Sequence, residues 1–283
     1  KEEYVMQATK TSLDSYVSVL MMENKVVTKK VLERAGISVP GGYEYTSPEA
    51  GMADYRLYAG KPVVIKPKST NFGLGITILK HNYDETDFKA ALQIAFEHDN
   101  TVLIEKFIPG REFRIFIIND EVVGILHRVP ANVTGDGVLN IGQLIDRKNE
   151  DPLRGKGYRT PLEKIRKGRE EEMFLKQQGM DFNTVPKERE VVYLRENSNI
   201  STGGDSIDFT DDIDDSYKAI AVEAAKALNV KITGLDMMIQ DIHAPATPDN
   251  YAIIEMNFNP AIHIHCYPFK GKNRHLNHKM IKA

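Results

Sequence analysis

Residues 253–260 read IIEMNFNP, and residues 232–240, shortly before them, read ITGLDMMIQ. Both are apolar runs broken by single polar groups, which predicts two strands, Ile232–Gln240 and Tyr251–Phe258, separated by a Pro-containing loop. Side chains alternate along a strand, so Glu255, Asn257 and Asn259 fall on one face and Ile254, Met256 and Phe258 on the other. Asp236 stands alone in its apolar strand. A buried carboxylate without compensation costs several kcal/mol, so it has to face a cation, a donor or water. If the two strands pair, Asp236 and Glu255 converge. With Asn257 they offer two carboxylates and an amide oxygen, a donor set for a hard cation such as Mg2+. The alternative is that Glu255 and Asn257 face solvent at a sheet edge.

Working outward, Pro62–Pro67 (PVVIKP) reads as a short buried strand in which Lys66 requires an anionic partner. The loop that follows, Ser69–Gly75 (STNFGLG), leads into a strand at Ile76–Lys80. Ser69, Gly73 and Gly75 allow backbone N–H groups to approach phosphate oxygens, although a plain turn between strands fits as well. The Walker pattern GxxxxGK[ST] is absent, which excludes a P-loop. Residues 10–36 are predicted as helix, with Asn24 as a cap, Val27, Val31 and Leu32 on the apolar stripe, and Gly36 as the stop. Lys25 follows that cap. Asp84–His98 is an amphipathic helix burying Phe88, Leu92 and Ala95. Strands are predicted at Thr101–Glu105, Glu112–Ile118 and Glu121–Val129, the last two joined as a hairpin at Asn119-Asp120. Glu105, Lys106, Phe107 and Ile108 form a connector whose backbone groups can read an adenine edge, with Phe107 and Ile108 covering the ring and Glu112 accepting from ribose hydroxyls. An ordinary strand–turn–strand is the competing reading.

Residues 130–190 are irregular, with a short helix near Ile141–Asn149 and a charged one near Arg169–Gln178. Seven basic residues lie between Arg154 and Arg169, a composition that suits a solvated, mobile insert acting either as a lid or as a passive segment. A strand at Val191–Leu194 and a helix at Asp214–Leu228 follow, and the acidic cluster Asp208–Asp215 suits a helix N-terminus. Adjacent antiparallel strands mixed with helices imply an α+β fold.

A chain of 283 residues accommodates one or two domains. Its net charge of −3, with both signs interspersed, gives no nucleic-acid footprint. No apolar run approaches the roughly 20 residues of a membrane span. The single cysteine, Cys266, rules out an internal disulfide framework and fits a cytoplasmic protein. His263-x-His265-Cys266 lacks the second ligand pair of a structural zinc site. The chain begins at Lys1 with no signal-peptide pattern, so a piece of a longer protein is expected.

The order of these elements, from Met22 to Pro268, resembles the ATP-grasp enzymes. That resemblance implies two α+β subdomains gripping ATP, at residues 21–108 and 109–283, after a preceding region at 1–20 and with an insert at 130–190. It implies that Lys25, Lys66 and the Ser69–Ile76 loop bind phosphates, that Glu105–Ile108 and Glu112 hold the nucleoside, and that Asp236, Glu255 and Asn257 hold two Mg2+ or Mn2+ ions. Arg114, Arg128 and Arg195 resemble arginines that steady an acyl phosphate or a substrate carboxylate. Asn197, Asn199, Ser201, Gly203 and Gly204 offer donors to the substrate.

Within the family, Met22–Lys30 (MENKVVTKK), Arg128–Val133 (RVPANV) and Leu194–Gly204 (LRENSNISTGG) are similar to the glutathione-synthetase module of bifunctional bacterial enzymes. The last two are also similar to cyanophycin synthetase. The first, together with Thr9–Tyr16, implies glycine and γ-glutamylcysteine as substrates, with a glutamate–cysteine ligase region upstream; a homodimer is compatible with it. Another amino-acid ligase, or a nucleotide-binding module without catalysis, are the alternatives.

Overall fold

The computed structural model describes residues 11–69, 74–80, 82–157 and 159–283. Gly73, with Thr70–Phe72 of the expected phosphate loop, lies outside the described residues, as does the 1–10 part of the expected preceding region.

The expected single helix over 10–36 is two helices. Ser15 caps α1 (Tyr16–Glu23) by accepting from the Ser18 N–H at 3.1 Å. Asn24, in an extended conformation, ends α1 and starts α2 (Lys25–Arg34), its side chain accepting from the N–H groups of Val26 and Val27 at 3.2 Å each. An asparagine oxygen that bonds nearby backbone competes with helix continuation, so it punctuates where the apolar pattern alone would run on. Gly36, at φ 75°, leads the chain away from α2.

The chain continues through β1 (Gly42–Tyr45), α3 (Pro48–Ala53), α4 (Tyr55–Tyr58), β2 (Val63–Pro67), β3 (Thr77–Leu79), α5 (Glu85–Phe96), β4 (Val102–Lys106), β5 (Arg111–Ile118) and β6 (Glu121–Val129). There follow β7 (Asn132–Thr134), α6 (Ile141–Lys148), β8 (Arg154–Gly155), β9 (Leu162–Glu163), α7 (Arg169–Gln177) and β10 (Val191–Tyr193). Next come a 3-10 turn at Ile200–Thr202, β11 (Asp205–Asp208), α8 (Asp215–Ala227), β12 (Ile232–Ile239), β13 (Tyr251–Asn257), α9 (His263–Cys266) and α10 (Leu276–Lys282). The hairpin expected at Asn119-Asp120 forms, with φ of 48° and 67° at the two residues, the left-handed pair that a tight turn between twisted strands requires.

Contacts divide the chain into two compact units. This partition differs in kind from the subdomain limits at 20/21 and 108/109, which stay a proposal about ligand binding. Unit 1 holds residues 1–111, 115–122 and 212–260. Its sheet runs β1-β4-β2-β3, with antiparallel pairings throughout. α5 lays Phe88, Ala91, Leu92 and Ala95 onto Val63, Ile65, Val102 and Ile104 of that sheet, the helix face read from the sequence. Also in unit 1, residues 115–118 of β5 neighbour β12, which pairs antiparallel with β13.

Unit 2 holds residues 112–114, 123–211 and 261–283. In it β11 pairs antiparallel with β6, from Asp205 opposite Val129 to Asp208 opposite Leu126, and β6 neighbours residues 112–114 of β5. Residues 130–190 are not the solvated insert that their charge suggests. β7 pairs with β10, and Ala131, Val133, Ile141, Leu144, Ile145, Ile165, Leu175, Val192 and Leu194 form a buried cluster of their own. The basic residues coat a core whose apolar members are too scattered in sequence to show a period. The acidic run also divides: Asp214 caps α8, whereas Asp208 and Asp211 are bound by Arg274. The fold is α+β with largely antiparallel sheets, as the sequence predicts. Among the described residues no helix is long and apolar enough to cross a membrane.

Candidate active site

The pairing of β12 with β13 decides the first question. Asp236 sits directly opposite Glu255, and Gly234 opposite Asn257. Directly opposed residues of an antiparallel pair project to the same face with their Cβ atoms about 5 Å apart, so the two carboxylates converge. Glycine opposite Asn257 leaves room beside that amide. Asp236 is 2% exposed, and the amide nitrogen of Asn257 is buried without a hydrogen-bond partner among the described residues. Two carboxylates and an amide oxygen on one face fit an oxygen-seeking divalent cation, so the donor chemistry suits the Mg2+ expected from the sequence.

A bulge alters the strict alternation. Asp236 faces Glu255, but the next residue, Met237, faces Ile253, so Ile254 is the extra residue on β13. Ile253 and Met256 are buried at 1% and 2% exposure, while Ile254 is partly exposed beside Glu255. The expected grouping of Ile254 with Met256 on the apolar face is therefore corrected: Ile253 takes that place.

α2 brings lysines to this face. Lys25 Nζ lies 3.7 Å from Glu255 Oε1. One helical turn on, Lys29 Nζ donates to Glu105 Oε1 at 2.7 Å, and Lys66 Nζ reaches the other oxygen, Oε2, at 2.7 Å. Burial pushes the Lys25 ammonium below its usual range; Glu255 counters this and the nearby Lys66 reinforces it. Burial alone would raise the Glu105 carboxyl, but Lys66 and Lys29 outweigh it and hold the group below the usual carboxylate range. Lys25, Lys66, Glu105, Asp236, Glu255 and Asn257, all expected from the sequence, thus share unit 1. Sequence reading missed the role of Lys29; its signal was the i, i+4 spacing from Lys25 on one helix face.

The nucleoside connector is more committed than its sequence suggests. The N–H of Lys106 donates to the Gly41 carbonyl at 2.8 Å and that of Phe107 to Pro62 at 3.0 Å. Lys80 Nζ lies 5.9 Å from the centre of the Phe107 ring. At the phosphate loop, the Ser69 N–H donates to Asp99 Oδ2 at 2.7 Å. Gly75 has φ 73°, and a Cβ there would come within 2.7 Å of both Pro67 and His98.

The remaining candidates lie in unit 2. Glu112 pairs with Arg128 and accepts from Ser198 Oγ at 2.7 Å, so in this state its carboxylate is bound by protein groups. Arg114 is buried on β5. Arg195 pairs with Glu170 and donates through Nε to the buried Glu171 at 2.6 Å. The Asn197–Gly204 segment folds on itself: Thr202 Oγ1 donates to Asn197 Oδ1 at 2.8 Å and to the Asn199 carbonyl at 2.9 Å, while Ser201 lies in the 3-10 turn. Gly203 has φ 93°. A Cβ at Gly204 would lie 2.8 Å from the carbonyl oxygens of both Asn199 and Val129. The glycine pair is thus demanded by the backbone, whatever ligand it meets.

Sequence reading also missed the group that anchors this segment. Asp205, next after the glycines, pairs with Arg154, accepts from Lys148 Nζ at 2.7 Å and from Asn132 Nδ2 at 3.0 Å. Arg154 Nη1 donates to the carbonyls of Glu163 at 2.8 Å and Gly203 at 3.0 Å. His265, fully buried in the same unit, is driven down to about 3 by burial and then by Arg114, and is neutral.

Facing carboxylates, lysines beside them and an α+β frame suit a polyphosphate bound with its cation, and comparison with known proteins gives the class of the fold, which is that of the ATP-grasp ligases. The family described as D-ala D-ala ligase C-terminus matches residues 44–140. More particularly, the chain is 62% identical over 283 residues to the glutathione biosynthesis bifunctional protein GshAB of Desulfotalea psychrophila, covering 100% of the chain and 36% of that protein. The crystal structure of a bifunctional glutathione synthetase from Pasteurella multocida is similar at a TM-score of 0.75 and 49% identity, covering 99% of this chain and 38% of the other. The ATP-grasp ligase PsnB, solved with a minimal precursor, is 15% identical with a TM-score of 0.51 over 95% of this chain and 63% of its own, a likeness of fold alone. The chain spans little more than a third of the length of the GshAB relatives it matches.

Proposed function

We propose that the chain is the glutathione-synthetase module of a longer enzyme, joining glycine to the carboxylate of γ-glutamylcysteine at the expense of ATP, with ADP and phosphate released. The observation that carries this reading is the register that sets Asp236 against Glu255, next to Asn257 and to a lysine held by Glu255. Identity with GshAB proteins over the whole chain supports the choice of substrates.

In this reading the γ-phosphoryl group passes to the substrate carboxylate, and the amine of glycine displaces phosphate from the resulting acyl phosphate. Positioning and charge neutralisation carry such a transfer, because the moving phosphoryl group spreads negative charge over its oxygens. Asp236, Glu255 and Asn257 would hold Mg2+ or Mn2+, two ions in all, which supply Lewis-acid stabilisation of the phosphate charge. Lys25 and Lys66 bind phosphate oxygens. Ser69, Gly73 and Gly75 cover them, and Glu105–Ile108 with Glu112 receives the nucleoside. Arg114, Arg128 and Arg195 hold the acyl phosphate and carboxylate, for which a guanidinium fork is better shaped than an ammonium. Asn197, Asn199, Ser201, Gly203 and Gly204 orient the peptide substrate. Arg195 would exchange Glu170 for that ligand. The reaction belongs to the cytoplasm, and an upstream glutamate–cysteine ligase region would supply γ-glutamylcysteine.

ADP release by the protein with Mg·ATP tests the reading, with γ-glutamylcysteine and glycine added separately and then together. Turnover that needs both is the expected result. Silence there, with activity on a different amine acceptor, would overturn the substrate assignment and leave the ligase class standing.

A further inference from the structure

We propose that Lys29 is a positioning residue for the nucleotide: it keeps Glu105 charge-balanced, so that Lys66 is able to leave Glu105 and turn to a phosphate oxygen. The inference rests on the nucleotide-binding reading above and adds to it a residue that contacts no ligand itself.

Each oxygen of Glu105 has its own ammonium at 2.7 Å, Lys29 on Oε1 and Lys66 on Oε2. The Glu105 side chain is 3% exposed, so water cannot replace either partner freely. Two ammoniums on one carboxylate leave one positive charge in excess, and Lys25 stands close enough to feel both Lys66 and Glu105. An arriving polyphosphate draws on that excess.

When Lys66 swings away, the Lys29–Glu105 pair remains neutral and bonded. Without Lys29 the same motion strands a buried carboxylate with no counter-charge, which is among the costlier events in a protein interior. Glu105 would then hold Lys66 back from the ligand. The geometry suits a fixed anchor: Lys29 sits one turn after Lys25 on α2, whose start is pinned by Asn24. Lys66, in contrast, is in the strand that ends at the phosphate loop. A bland tie between α2 and β4 would show the same bond but would not discriminate between ligands by their phosphates.

The test compares wild type, Lys29→Met, Glu105→Gln and the double variant, checked for folding by circular dichroism. Binding of ATP and of adenosine is measured by competition with a fluorescent nucleotide. We expect Lys29→Met to weaken ATP by about tenfold or more while leaving adenosine, which has no phosphate to attract Lys66, within about twofold. In the double variant, where Glu105→Gln removes the charge that holds Lys66, ATP should bind within about threefold of the Glu105→Gln variant alone. Equal losses of ATP and adenosine in Lys29→Met would overturn the proposal, as would an undiminished ATP affinity or a double variant as weak as Lys29→Met. Failure of the wild-type protein to bind ATP would bring down the nucleotide reading and this inference together, whereas the outcomes just named, with wild-type binding of ATP intact, would bring down this inference alone.

Discussion

Each unit buries a carboxylate between two cations, and the two arrangements differ in what they leave open. In unit 2, Asp205 is held by Arg154 and Lys148, and the Arg154 side chain is 0% exposed. Its fork is further engaged by the carbonyls of Glu163 and Gly203, and Lys148 also donates to the carbonyl and the side-chain oxygen of Asn132. In unit 1, Glu105 is held by Lys29 and Lys66, whose side chains are 14% and 12% exposed and which have rotatable ammoniums in place of a planar fork. The charge count is the same. A guanidinium bonded to carbonyls cannot leave without orphaning several acceptors, so the Asp205 group holds a segment in place. A lysine bonded once can exchange partners, so the Glu105 group can respond to a ligand.

The sharpest way to break the contrast lies at the cation face. Asp236→Asn should reduce Mg·ATP-dependent turnover by about a thousandfold or more, with a thermal midpoint no lower than that of wild type, because the variant sheds a buried charge. Near wild-type turnover would remove Asp236 from the site. Next in size, Arg154→Met leaves the carbonyls of Glu163 and Gly203 without their guanidinium donor and Asp205 with Lys148 as its one cation, and should destabilise the fold by about 3–5 kcal/mol in urea unfolding. Lys66→Met leaves Glu105 paired with Lys29 and should cost no more than about 1 kcal/mol. Equal losses in these two variants would erase the distinction between holding and responding.

Acid sharpens the comparison. Glu105 has a folded-state value below its ordinary 4.5, so its contribution to stability is complete above that pH and is lost as the pH falls through the depressed value. Replacing Glu105 by Gln should flatten the part of the acid-side slope below about pH 4.5, measured as midpoint against pH. The smallest effect is expected at Asn24→Ala, about 1 kcal/mol from the loss of the two cap bonds that separate α1 from α2.

What the sequence made legible was mostly local or strictly periodic. The hairpin at Asn119-Asp120, the buried face of α5 and the convergence of Asp236 with Glu255 follow from turn chemistry and alternation. Asn24 was legible as a cap, but the end of α1 at Glu23 just before it escaped, because the apolar pattern on either side is continuous. The core of residues 130–190 escaped because its apolar members come from short elements too brief to show a period. The partners of Asp205 lie 57 and 51 residues before it, and those of Arg195 lie on a separate helix, so no spacing rule could match them. At the candidate site, residue types were readable where one strand or one helix carries them. Which cation neutralises which acid depended on the fold.

The bulge at Ile254 has a consequence for how the chain tolerates changes in length. Because Met237 faces Ile253 and Asp236 faces Glu255, removing Ile254 would join two in-register stretches into a regular ladder. The cation-facing residues and the core-facing residues would each keep their side of the sheet. Elsewhere in a strand, the loss of one residue turns every later side chain through to the opposite surface. At this one point β13 carries a slack link, where a codon could be lost or gained without reversing the polarity of the strand.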